Sequence, residues 1–205
     1  IQCFDMSKQH PVWIIDGKDD TDATLVLEVE GDTPYLYSGN EVDIQGTKGI
    51  SEVKKINGLT GKIIWIKSFE CQSQIGEHPV NGGMLGTPVI GKQSISDRII
   101  INMARYMTFS GGLSSALDKK TGDILWQTEM KNYPWSSPVD VYTKDGKAYI
   151  IQCNSAGEVN LINAENGDIL HTIKLNANIE SSPAIYKGFI VIATRGQKIY
   201  GLKIK

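Results

Sequence analysis

Cysteine is scarce in this chain. Cys3, Cys71 and Cys153 are the whole complement, widely separated and without a CxxC pair. A structural zinc site wants four clustered ligands and a disulfide framework an even set, so neither is expected. The three read as small buried hydrophobes, and Cys3 and Cys153 do lie in apolar, strand-like stretches. Charge of one sign is lacking too: a formal net charge of −2 offers no field that would draw the chain onto nucleic acid or anionic lipid. No run of about 18 apolar residues occurs, so no transmembrane helix is expected. The opening residues, IQCFDMSKQH, carry neither the basic nor the apolar region of a leader, and no initiator Met. The chain reads as a processed or excised piece, with any export signal outside it.

Glycine and turn-forming residues are what the sequence has in plenty. Its 21 glycines recur beside Asp, Asn and Thr, a pattern that favours many short strands over a few helices. Between Ser136 and Leu175 four apolar strand candidates follow one another: Val139–Tyr142, Ala148–Gln152, Val159–Asn163 and Ile169–Ile173. The breaks between them, KDG, NSAG and ENGD, supply the residues that tight hairpins require. Four antiparallel strands on short turns make one propeller blade.

The unit repeats. Ser181-Ser182-Pro183 repeats Ser136-Ser137-Pro138 after 45 residues, Gly86-Thr87-Pro88 opens another copy, and Ala23-Thr24 opens one before that. The turn ahead of the last strand reads LTGKIIW, KTGDILW and ENGDILH in successive copies. One position of that strand therefore carries Trp13, Trp65, Trp126 and then His171. A wedge-shaped sheet cannot bury both of its faces alone, and an indole reaching to the neighbour fills the gap that widens outward. Burying such a ring is worth about 2–3 kcal/mol. An ordinary sandwich has no reason to repeat turn, aromatic and Ser-Ser-Pro in one order.

At these residues the chain resembles the PQQ-like, tryptophan-docking propeller family. That family includes quinoprotein alcohol dehydrogenases and a non-enzymatic lipoprotein scaffold of outer-membrane protein assembly. The resemblance implies an all-β fold of four-stranded antiparallel blades, about four of them within this chain. Residues 1–16 would be strands c and d of a blade, 17–80, 81–131 and 132–175 full blades, and 176–205 an incomplete last one. Pro11–Asp16 could close a four-bladed ring by joining the last blade. Family members usually have six to eight blades, however, so a portion of a larger propeller with blades upstream is the favoured expectation. Open sheet edges would invite pairing with a second copy. Bacterial relatives are mostly exported, which implies an extracytoplasmic setting, whether periplasmic, cell-surface or secreted.

In this topology the d–a and b–c loops gather at one mouth of the central channel, where length and chemical variety concentrate. They offer Asp19, Asp20, Asp22, Asn40, Glu41 and Asp43 in one sector, and Arg105, Tyr106, Tyr133, Trp135, Asn154, Glu180 and Arg195 in others. Such a mouth suits a protein, a peptide or a small polar ligand. Asp19, Asp20 and Asp22 invite a calcium reading, because hard cations want carboxylate oxygens, but they miss the EF-hand spacing. A solvated loop whose aspartates cap turns is the plainer account. Trp135 reads either as a platform at the mouth or as packing, and Arg105 and Arg195 either as a clamp for a carboxylate or phosphate or as surface charges.

Catalysis finds little support. The resemblance implies that an enzyme of this family would hold PQQ beneath a pair of adjacent cysteines, with calcium and an aspartate base. No Cys-Cys pair occurs, His10, His78 and His171 are scattered, and GxSxG is absent. A non-catalytic binding or scaffold module without cofactor is the expectation. A fragment of a PQQ- and calcium-dependent dehydrogenase, or a sensor domain of a larger envelope protein, is the alternative.

Overall fold

Hairpins form where the chain supplies left-handed backbone. Gly61, Gly122 and Gly167 have φ of 72°, 76° and 83° in the turns that precede successive outermost strands, a region open to glycine at little steric cost. In the computed structural model, which describes residues 1–204, such turns join nineteen strands into five antiparallel sheets. The first sheet is β1 (Gln2–Asp5) with β2 (His10–Ile14). The second is β3 (Val26–Glu30), β4 (Thr33–Gly39), β6 (Lys48–Asn57) and β7 (Ile63–Gln72), and β5 (Glu41–Val42) leaves it. The third holds β8 (Gly82–Gly83), β9 (Val89–Ile90), β10 (Arg98–Ala104), β11 (Gly112–Asp118) and β12 (Ile124–Met130), and takes in β5 through β8. The fourth is β13 (Val139–Tyr142), β14 (Ala148–Cys153), β15 (Glu158–Asn163) and β16 (Ile169–Lys174). The fifth is β17 (Ala184–Tyr186), β18 (Phe189–Thr194) and β19 (Lys198–Lys203). Helix is confined, among the described residues, to a single 3-10 turn at Gln93–Ile95, and no helix is long and apolar enough to cross a membrane.

Each pairing of the two outer strands contains a bulge at one place. Trp65 faces Lys55 while Ile63 faces Ile56, so Ile64 is the extra residue, and Val12, Leu125 and Leu170 are its counterparts. A bulge bends its strand and re-aims the neighbouring side chain. Here that side chain is Trp13, Trp65, Trp126 or His171. Each indole N–H donates to the carbonyl just after the third strand of the next sheet: Trp13 to Gly58 (2.9 Å), Trp65 to Lys119 (3.0 Å) and Trp126 to Ala164 (3.0 Å). A Cβ on Gly61, Gly122 or Gly167 would lie 2.8, 2.7 or 2.6 Å from the ring, so glycine serves the close approach as well as the turn. The fourth seam differs. His171 is exposed beside an apolar slot of about 330 Å³ lined by Ile173, Ile190, Leu202 and Ile204.

A second set of bonds runs round the inner rim. Thr24 N–H donates to Thr87 Oγ1 (3.3 Å), Thr87 N–H to Ser137 Oγ (3.0 Å), and Ser137 N–H to Ser182 Oγ (3.1 Å). These residues open the innermost strands, which accounts for the repeated Thr-Pro and Ser-Ser-Pro steps. Three apolar cores fill the gaps between the second and third, third and fourth, and fourth and fifth sheets, centred on Ile99, Ile150 and Ile192. Cys71 and Cys153 are buried in two of them, where burial pushes each thiol up to about 12, and no cysteine is bridged. The ring is open. Pro11–Ile14 pairs with β1 and not with the fifth sheet, so the four-bladed closure the sequence allowed is not formed: the place a last-sheet partner would take beside β2 holds residues 2–5 instead.

Candidate functional site

The residue that follows each second strand ties loops of this face together. These residues are Asn40, Arg105, Asn154 and Arg195. Asn40 is buried, donates to the carbonyls of Glu41 (2.6 Å) and Ile50 (3.0 Å), and accepts the Glu52 N–H (2.8 Å). Asn154, also buried, accepts from the Ala156 and Glu158 N–H groups at 3.1 and 3.0 Å and donates to Glu158 Oε2 (2.7 Å). Both amides shape their loops and offer little to a ligand. Arg195 is exposed and pairs with Glu180 at 3.0 Å; Glu180 in turn accepts from Asn178.

Arg105 is buried in the left-handed region, with φ 55°. Its Nε donates to the Asn81 carbonyl (3.0 Å) and its Nη1 to the Phe109 carbonyl (2.7 Å). The guanidinium lies between two rings, 4.5 Å from the centroid of Phe109 and 4.1 Å from that of Tyr133. Tyr133 continues to Trp135, with centroids 6.3 Å apart and planes tilted 52°. Phe109, Arg105, Tyr133 and Trp135 therefore form one ladder across two loops. Its rings are half-buried or exposed, and a small hollow of about 240 Å³ beside it is lined by Tyr106, Met107, Thr108, Met130 and Lys131, among others. Tyr106 packs edge-on against Phe69 at 6.4 Å and serves the core. The ladder touches the acidic sector through Asn81, whose amide donates to Glu41 Oε2 at 2.6 Å.

In that sector Asp19 staples one loop to the next. Its carboxylate accepts the Asp43 N–H (3.1 Å), the Ile44 N–H (3.4 Å) and Gln45 Nε2 (2.8 Å). Burial works against its charge, but the bonds from Asp43 and Gln45 prevail and hold it below the usual range. Asp43 beside it is raised to about 6, first because its carboxyl hydrogen-bonds that of Asp19 and then by burial. Glu41 is buried and pushed up to about 8, by burial first and then by a hydrogen bond with Asp20. Oxygens of Asp19, Asp20 and Asp43 lie within 4.8 Å of one another; Asp22 is exposed and stands outside that group. Protons shared between carboxyls and backbone N–H groups thus already moderate the charge that a hard cation would neutralise.

A raised carboxyl pKa means that the folded chain holds more protons than the unfolded one. For Glu41 this applies between its ordinary value of 4.5 and about 8, so its contribution is lost as pH rises through that window. Glu41→Gln keeps the shape and bonding of the protonated acid. It is expected to melt level with the parent at pH 5 and to be more stable by about 2 kcal/mol or more at pH 9. Thermal melts at both pH values check this, and parallel pH dependences would show that Glu41 ionises normally.

Residues 110–205 match the model of the PQQ-repeat family described as outer membrane protein assembly factor BamB. The chain is a β-propeller, and residues 110–205 carry the PQQ-type repeat. Among solved structures the propeller resembles BamB from Moraxella catarrhalis at 14% identity and a TM-score of 0.58, over 95% of this chain and 50% of that one. It resembles the computationally designed Ika8 protein at 9% identity and 0.63, over 99% of this chain and 52% of that one. The designed Ika4 protein matches at 10% and 0.57, over 93% and 94%. The propeller thus spans about half the length of BamB and of Ika8. None of the curated protein sequences matches it. Asn81 and Phe109, which tie the loop face of the propeller together, carry no signal in the sequence: one is a loop amide two residues past a proline, the other a second ring in a loop where Tyr106 already draws the eye.

Proposed function

We propose that the propeller is a non-catalytic binding module whose loop face docks an extended segment of another protein. The observation that carries this reading is the ladder of Phe109, Arg105, Tyr133 and Trp135. It is held rigid from beneath by backbone carbonyls and is linked through Asn81 to Glu41, which has the exposed carboxylates of Asp20 and Asp22 near it. Rigid aromatic rings give contact area at low entropic cost, and neighbouring carboxylates favour a segment with apolar and basic residues. Glu180 and Arg195 satisfy one another and border the face. The reading needs neither PQQ nor calcium. It places the chain outside the cytoplasm, as expected of a bacterial relative of an outer-membrane assembly factor. It also includes self-association through exposed sheet edges.

Selection of random displayed dodecapeptides on the propeller is expected to enrich sequences with apolar and basic residues. Trp135→Ala should weaken their binding by about 10-fold or more, the loss of a buried aromatic anchor. Peptides that bind Trp135→Ala as well as the parent would remove the ladder from the site. Mixing the propeller with PQQ and calcium is expected to leave the quinone absorbance unchanged and to give no dye-linked alcohol oxidation. Either signal would replace binding by redox chemistry.

A further inference from the structure

The outermost strands of the second, third and fourth sheets are open on one edge, and they are not alike. β7 has 10 residues, against 7 in β12 and 6 in β16. Aligned on Trp65, Trp126 and His171, the next exposed places hold Ile66 and Ser68 in β7, Gln127 and Glu129 in β12, and Thr172 and Lys174 in β16. Ile66 adjoins Ile64 at the bulge, and the two are 46% and 42% exposed. Charged and polar side chains on an edge strand blunt its pairing with other chains. β12 and β16 carry them, whereas β7 presents isoleucine and serine. The neighbouring two-stranded sheet is not the cause of this exposure, because β12, set between two larger sheets, is exposed at the same places.

The chain itself begins a further strand on this edge. Gln72 N–H donates to the Arg105 carbonyl (2.9 Å) and Met107 N–H to the Glu70 carbonyl (3.2 Å), with Cys71 and Tyr106 opposite one another and antiparallel. A tight turn then takes the chain away: Met107 has φ 56°, and Thr108 N–H donates to the Tyr106 carbonyl. Such three-residue turns are strained for a residue with a side chain. Alternate residues of a strand point their N–H and C=O groups to the same edge. Those of Ile66 and Ser68 therefore point outward, as those of Glu70 and Gln72 do, and have no backbone partner among the described residues. Lys48 pairs with Glu70 at 3.6 Å, while Lys62 and Lys67 make no ion pair among the described residues.

We propose that the free edge of β7 docks an extended acidic strand of another protein, which takes up the edge where Arg105–Met107 leaves it and pairs with Ile66 and Ser68. Apolar side chains at alternate places of that strand lie on Ile64 and Ile66, and its carboxylates meet Lys62 and Lys67. In strand addition the main-chain bonds supply affinity and the alternate side chains select the partner. A second β7 would bring the same two lysines with it, so charge favours a foreign strand over another copy of this chain. The surface lies on the outer edge of the second sheet and does not depend on the ring ladder of the loop face.

Random displayed dodecapeptides selected on Trp135→Ala, which lacks the outer ring of the ladder, are expected to give clones with acidic residues and alternating apolar ones. Ile66→Glu changes an exposed side chain and should weaken their binding by about 10-fold or more, through lost apolar contact and repulsion of the carboxylates. Ser68→Pro removes an outward N–H that the pairing with β6 does not use, and should weaken binding by about 5-fold, the loss of one backbone hydrogen bond. Gln127→Glu, the matching change in β12, should leave binding as it is. With a selected clone made as a soluble peptide, amide exchange should slow at Ile66 and Ser68. Clones that bind Ile66→Glu and Ser68→Pro as well as the parent would overturn the proposal, as would a selection without acidic clones. Sedimentation of the chain alone as a dimer that Ile66→Glu dissociates would give the edge to a second copy and overturn the foreign strand. Because ladder clones need Trp135, either failure leaves the loop face untouched.

Discussion

Trp65→Ala and Trp126→Ala are each expected to cost about 3–5 kcal/mol and to lower the melting temperature by on the order of 10 °C. Both rings are 8% exposed, so nearly the whole indole leaves a packed seam. Two further losses follow in each variant. The carbonyl of Lys119 or Ala164 loses its donor, and the glycine beneath the ring, Gly122 or Gly167, loses the surface it was flattened against. A bulge holds the adjacent backbone, which limits the collapse that would otherwise fill the space. Trp13→Ala should cost less, because Trp13 is only half-buried and the sheet that carries it has two strands. His171→Ala, at the equivalent place, should change stability by no more than about 0.5 kcal/mol, as surface substitutions do. Thermal and urea melts of the four variants give the ranking. If Trp126→Ala proves as mild as His171→Ala, the indoles are ornaments on sheets that the aliphatic cores hold together unaided.

That ranking was legible in the sequence for the seams and illegible for the face. Strand positions could be read because the apolar runs are short and bounded by Gly, Asn and Asp. The run Val139–Tyr142 is β13 itself, and the other three in that copy end within one residue of the observed strands. Self-similarity did the rest, since one Trp in one turn means little and three in register mean a repeated seam. The bulge that aims each indole left no trace, because Ile64, Leu125 and Leu170 look like any strand residue. The bridge from β5 to β8 was hidden for a different reason. It depends on Gly83 at φ 83°, where a Cβ would come within 2.9 Å of Glu41, and two adjacent glycines in a long loop do not announce their partner. For the face, residue type singled out polar loop residues and missed the roles that the fold gives them. Asn40 and Asn154 carry the chemistry of ligand-binding amides and use it on their own loops. Asp43, in contrast, matters through its contact with Asp19, a pairing between loops that only the fold creates.

Arg105→Ala is expected to be the most damaging change on the loop face, at about 2–4 kcal/mol. The carbonyls of Asn81 and Phe109 would lose their donors in part-buried bonds, at about 0.5–1.5 kcal/mol each. The contact with two rings adds about 0.5–2 kcal/mol. Arg105→Lys should recover little of this. One ammonium cannot reach two divergent carbonyls and lie flat between Phe109 and Tyr133 as the planar fork does. Arg195→Ala, by comparison, removes one exposed ion pair and should stay within about 0.5 kcal/mol. The binding consequences should follow the same order, because Tyr133 and Trp135 keep their tilt only while the guanidinium beneath them is fixed. Melting temperature and peptide affinity measured side by side test the coupling. Arg105→Lys at parental stability with parental affinity would mean that the ladder stands on its backbone alone and that the buried fork is dispensable to the face.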